Sequence, residues 1–247
     1  MRIIEPSFEI IQCPDGEECL AFLEKCARTC YKSEGKIDEG FGTCGDCDGS
    51  GWVEVDIHRN SRCPACQGTG KSDIRISEPS SHKLIRRIVK SGHESVIEHM
   101  VISVRFIFDR GVSHEMVRHR IASFSQESTR YCNYSDDRFG NELTFIRPCF
   151  WPVGSELYNE WVEDMEYAER RYLSKIEKGA KPEEARSILP NSLKTEIVVT
   201  ANLREWRSVI FTQRSSNPKA HVQMRQVMQP LHGELCRRIP VIFDGAN

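Results

Sequence analysis

Long apolar runs are missing from this 247-residue chain, so none of its segments is long enough to span a bilayer. The opening Met1-Arg2-Ile3-Ile4-Glu5-Pro6 lacks the apolar stretch of a signal peptide. A soluble, cytoplasmic protein is expected. Charge of one sign is missing too: 34 Lys and Arg against 36 Asp and Glu leave a formal net charge of -2. Non-specific binding to nucleic acid or to a membrane surface is therefore not expected, and any anion site must be built locally. A Rossmann fingerprint, a glycine turn opening a helix directly after a strand, is also lacking. Low-complexity tracts are absent, and the one internal repeat is a pair of cysteine motifs.

The eleven cysteines fit metal binding or buried thiols better than disulfides in an unexported chain of this size. Four of them form two copies of Cys-x-x-Cys-x-Gly-x-Gly, at Cys44-Gly-Asp-Cys47-Asp-Gly-Ser-Gly51 and Cys63-Pro-Ala-Cys66-Gln-Gly-Thr-Gly70. Four thiolates satisfy tetrahedral Zn²⁺, and the glycines let the backbone turn tightly around each pair. A redox disulfide pair or an iron site are the alternatives. All four positions are cysteine, so no coordination site stays open and the metal's role would be structural. From Gly40 to Gly70 aliphatic residues nearly vanish, and a segment this small cannot fold on core burial alone. Domain boundaries follow: a main body of residues 1–39 and 73–247, and an inserted zinc-binding module over 40–72. A binding surface and a plain loop staple are both open as its purpose.

In the main body, helical spacing predicts a helix over 17–31 and another over 82–90. Ile102, Val104, Phe106 and Phe108 alternate with polar neighbours, which predicts a half-buried strand over 100–108. Ser113 would then cap a helix carrying His114 to Arg120. Strands are expected at 143–147 and 195–201. Further helices are expected at 155–178, with Leu157, Trp161, Met165, Ala168, Tyr172 and Ile176 inward, and at 182–189, 203–213 and 219–238. The fold class is α+β: a small antiparallel-type sheet flanked by long helices, with an inserted zinc-knuckle module.

The richest stretch is Arg118-His119-Arg120-Ile121-Ala122-Ser123-Phe124-Ser125-Gln126-Glu127-Ser128-Thr129-Arg130-Tyr131. Three guanidinium forks among serines and amides, without a lysine, point to an anionic ligand rather than a solvated helix face. Consecutive helical residues point about 100° apart, so Arg118, His119 and Arg120 cannot all grip one group while helical. They must divide between ligands, or the helix must unwind.

This run resembles the signature of the flavin-dependent thymidylate synthases, which methylate dUMP with methylenetetrahydrofolate, FAD and NADPH. Ala27-Arg28-Thr29-Cys30-Tyr31, Ser91-Gly92-His93-Glu94-Ser95, Glu184-Ala185-Arg186-Ser187-Ile188-Leu189-Pro190 and Asn202-Leu203-Arg204 resemble further family segments. The resemblance implies dUMP contacts from Glu115, Arg118, Gln126, Glu127, Ser128, Thr129, Arg130, Arg186 and Arg214. It implies FAD contacts from Ser95, Arg118, His119, Arg120, Gln126, Asn202, Arg204, Ser208 and His221. It also implies a homotetramer with shared active sites. Ser125 and Gln126 replace the commoner Asn and Glu, and the span from Asn202 to Arg214 is one residue longer than usual. The module resembles the cysteine-rich repeats of DnaJ-type co-chaperones, with half their motifs.

Methylating uracil at C5 requires that carbon to become nucleophilic. The resemblance implies that Arg214 polarises the ring, since fixed charge acts strongly where water is excluded. A cysteine nucleophile, with Cys132 nearest, is the rival. A reading of another class also stands: a zinc-dependent nucleic-acid- or protein-binding module on a non-catalytic scaffold.

Overall fold

The computed structural model describes residues 1–56, 59–75 and 77–245. Two compact units divide the chain, one of Met1–Pro14 with Met100–Asn247 and one of Asp15–His99. In chain order the strands are β1 (Arg2–Ile4), β2 (Ser7–Gln12), β3 (Phe41–Thr43), β4 (Trp52–Asp56), β5 (Arg59–Arg62), β6 (Lys71–Arg75), β7 (Val101–Asp109), β8 (Ala122–Gln126), β9 (Thr144–Ile146) and β10 (Lys194–Asn202). The helices are α1 (Gly16–Thr29), α2 (Ser80–Lys90), α3 (Arg110–Met116), α4 (Glu156–Glu177), α5 (Pro182–Ala185), α6 (Val222–Arg238) and α7 (Pro240–Phe243).

The first unit is built on an antiparallel sheet ordered β2-β7-β10-β8, with β1 and β9 paired in parallel beside it. The alternation in β7 has the expected parity: Ile102, Val104, Phe106 and Phe108 are fully buried, while Val101 and Arg105 are exposed. Across the ladder Phe106 faces Ile197 and Val104 faces Val199, so the inner face is continuous apolar surface. Burying each such side chain contributes about 1.5–3 kcal/mol. Helix α4 starts where Ser155 caps the Tyr158 amide and stops before Gly179, whose φ of +89° ends the winding. Trp161, Met165, Ala168 and Tyr172 are buried, but Leu157 is 52% exposed. Periodicity fixes angle around a helix axis, not where along that axis the core ends.

Two local expectations are corrected. Helix α3 begins four residues earlier than Ser113 predicts, because the Asp109 carboxylate accepts from the Val112 amide at 2.6 Å where β7 ends. Ser113 lies inside the helix and donates to the Arg110 carbonyl. The helix stops at Met116, and Arg118–Arg120 leave helical winding before β8, a strand that apolar periodicity did not announce. The segment 203–213 is helical but wound as two π-turns, Glu205–Ile210 and Thr212–Ser216.

The second unit packs α1 against α2 and carries two small sheets, β3-β6 and β4-β5. Gly40, Gly42 and Gly45 have the bare spacing G-x-G-x-x-G, but they lead through β3 into a cysteine turn and not into a helix.

Candidate functional site

The π-turns decide which side chains meet. Asn202, the last residue of β10, accepts from the Glu205 amide at 2.8 Å and starts the segment. Arg214 lies nine residues beyond Glu205. In an α-helix of 3.6 residues per turn that separation is two and a half turns, which puts the two on opposite faces. With i→i+5 bonding each turn takes roughly four and a half residues, so the same separation returns Arg214 to the face of Glu205.

Between those two residues lies His119, 5% exposed. Arg214 Nε donates to His119 Nε2 at 3.0 Å, Nη1 to Glu115 Oε2 at 2.9 Å and Nη2 to the Glu115 carbonyl at 2.8 Å. Glu205 Oε1 stands 3.5 Å from His119 Nδ1. Three of the expected residues, Glu115, His119 and Arg214, thus form one hydrogen-bonded group. Glu205 was missed from the sequence. A buried acid nine residues from Arg214 carries no signal unless π winding is already known.

Burial, then the Arg214 charge, lowers the His119 pKa from 6.5 to about 4. The unfolded chain therefore takes up this proton first on acidification. Stability from the neutral imidazole is fully present above pH 6.5 and is lost as pH falls towards 4. The difference is worth at most about 3 kcal/mol. Urea midpoints measured at pH 7 and pH 4.5 should fall with acidification in the native chain and fall less in His119→Asn. Equal acid sensitivity in both proteins would remove this group from the titration.

A second group gathers the loop after β8 and the turn after α5. Arg130 Nε donates to Glu183 Oε2 at 2.9 Å, and Arg186 Nη1 reaches Thr129 Oγ1 at 3.5 Å. Ser128 Oγ accepts from the Arg130 amide at 3.3 Å. The neighbouring Glu127 carboxylate is held by Tyr134 Oη at 2.7 Å and Lys194 Nζ at 2.9 Å. Gln126 donates to Ser113 Oγ and Thr195 Oγ1. These contacts make Gln126 and Glu127 the frame that holds the loop. Arg118, Arg120 and Arg204 are exposed, and Ser208 accepts from Arg207. His221 caps α6 through its Nδ1 and packs edge-on against Phe150. Cys132 sits beside Glu127, and burial followed by that carboxylate pushes its thiol pKa up, opposite to what a nucleophile requires.

Ser95 belongs to the second unit. It lines an open groove of about 650 Å³ with Arg28, Lys36, Arg87 and His93 among the other lining residues. Such donors suit phosphate oxygens.

Also in the second unit, the sulfur atoms of Cys44, Cys47, Cys63 and Cys66 all lie within 4.8 Å of one another. The Cys44–Cys63 and Cys47–Cys66 separations are 3.9 and 3.7 Å. Four sulfurs about 2.3 Å from a tetrahedral zinc stand about 3.8 Å apart, so the set fits the ion. The two motifs are related by a local two-fold. Cys44 N donates to the Gly70 carbonyl and Cys63 N to the Gly51 carbonyl, while the Gly51 and Gly70 amides point at the sulfurs of Cys47 and Cys66. Gly51 and Gly70 have φ of +78° and +72°, and a Cβ on either would lie 2.4 or 2.2 Å from a glycine carbonyl of the other motif. Only glycine fits there.

Residues 12–241 match the family model described as thymidylate synthase complementing protein, Thy1. The flavin-dependent thymidylate synthase of Pyrococcus furiosus is 36% identical over 165 residues, which cover 66% of each chain. That of Pyrococcus horikoshii is 39% identical over 168 residues, covering 68% of this chain and 65% of its own. The matched stretch thus spans just under two thirds of these relatives. A solved UMP/dUMP methylase, PolB from Streptomyces cacaoi bound with 5-Br dUMP, superposes with a TM-score of 0.66. It is 18% identical, with 99% of this chain and 96% of that one covered, and the likeness is one of fold.

Proposed function

The chain belongs to the thymidylate synthase complementing protein family, and from that premise we propose that it methylates dUMP to dTMP. Methylenetetrahydrofolate is the carbon donor and FAD, reduced by NADPH, the flavin. The observation that carries this reading is the Arg214 group, in which a guanidinium is held rigidly by Glu115 and a neutral His119. Placed at the carbonyl edge of uracil, that charge stabilises the electron density that makes C5 nucleophilic. Charge fixed beforehand needs no reorganisation as the reaction proceeds.

Arg118, Arg130 and Arg186 take the nucleotide's anionic groups, with Ser128 and Thr129 donating beside them and Gln126 and Glu127 holding their loop. Arg118, His119, Arg120, Gln126, Asn202, Arg204, Ser208, His221 and Ser95 serve the flavin. The cationic groove around Ser95 fits a group carrying phosphates. Reduced FAD, when bound, supplies the hydride that completes the methyl group. Assembly is a homotetramer. In the cysteine module Zn²⁺ is bound structurally by Cys44, Cys47, Cys63 and Cys66.

Two measurements on the purified protein test this reading. Flavin absorbance should accompany the folded chain or appear on adding FAD. Tritium should be released from 5-labelled dUMP only when methylenetetrahydrofolate and NADPH are both present. A folded, zinc-loaded protein that binds no flavin and releases no tritium is instead the zinc-dependent binding module on an inactive scaffold.

A further inference from the structure

We infer that Glu205 is the positioning residue of this site: its carboxylate accepts the Nδ1 proton of His119 and so fixes the imidazole in the form whose Nε2 receives Arg214. The inference rests on the reading of Arg214 given above. A neutral imidazole has one donor nitrogen and one acceptor nitrogen. Arg214 Nε can only donate, and it stands 3.0 Å from His119 Nε2, so Nε2 is the acceptor and the proton is on Nδ1. Glu205 Oε1 is 3.5 Å from that nitrogen, and the two side chains are 6% and 3% exposed.

A carboxylate this buried is costly unless it has a partner, so its place is not explained by solubility. Burial raises the Glu205 pKa, against the opposing Arg204 charge. In the other tautomer two N–H groups would face each other across 3.0 Å, and Arg214 would have to turn away. That turn would also break its contacts with Glu115. The backbone supports the same conclusion. The Asn202 cap places Glu205, and π winding keeps it on Arg214's face, so one segment sets these two side chains on either side of His119.

The test uses the full-length protein with flavin. Glu205→Met removes the acceptor and should lower kcat for tritium release about 10- to 100-fold, the usual effect of losing an orienting partner. Flavin content and the KM for dUMP should stay within about twofold of the native values. Glu205→Gln keeps an oxygen acceptor and should recover most of that loss. In a His119→Asn background, Glu205→Met should cost nothing more. Equal loss in the Gln and Met variants, or additive losses with His119→Asn, overturns the proposal. If Glu205→Met does not fold, 15N spectra of the imidazoles in native and Glu205→Gln protein decide, because a protonated His119 Nε2 overturns it. Native protein that forms no dTMP defeats the parent reading, and the imidazole spectrum still reports on Glu205 separately.

Discussion

Arg214→Ala is expected to lower kcat for dTMP formation by about 10²–10³-fold, the usual cost of removing one preorganised donor. Its guanidinium makes three of the hydrogen bonds in the site, two to Glu115 and one to His119. Losing it leaves His119 Nε2 without its donor and frees the Glu115 carboxylate. The kcat loss should therefore exceed any change in flavin affinity, which the 450-nm absorbance reports. Arg214→Lys keeps the charge without the fork, and should restore only part of the rate. Cys132→Ala is the control: its thiol is pushed towards the protonated form, so dTMP formation should survive. Full loss in a folded Cys132→Ala protein, with activity kept in Arg214→Ala, would reverse the assignment.

The second large effect concerns the metal. Among the described residues of the cysteine segment, the apolar cluster consists of Cys44, Cys63 and Cys66, with Cys47 and Val53 packed against it. Such a core cannot hold the segment's two small sheets, whereas structural zinc in comparable peptides contributes about 10–16 kcal/mol. The Gly51 and Gly70 amides donate to the sulfurs of Cys47 and Cys66 at 3.3 and 3.2 Å, contacts that favour thiolate ligands. Elemental analysis should find one zinc per chain. Chelation, or Cys63→Ser, should release it and open residues 40–72 to limited proteolysis, with the first unit left resistant. Protein purified without chelator that holds no metal, with its module still protease-resistant, would leave the cysteines as a thiol core only.

The sequence by itself determined the alternation of β7, the span of α4, the cysteine knuckles and the family. Each rests on local spacing: period two in a strand, 3.6 in a helix, and a fixed motif around a metal. Gly51 and Gly70 were legible because no other residue fits so close to a carbonyl. The arginine run suggested an anion site, but the path of its backbone could not be read from it. Asp109 captured the start of α3 and the helix ended at Met116, before Arg118–Arg120, and a capping acid of that kind looks like any other. Only the tertiary structure decided that Glu205 and Arg214 meet across His119. That meeting depends on π winding over Glu205–Ile210 and Thr212–Ser216, which no residue pattern announces.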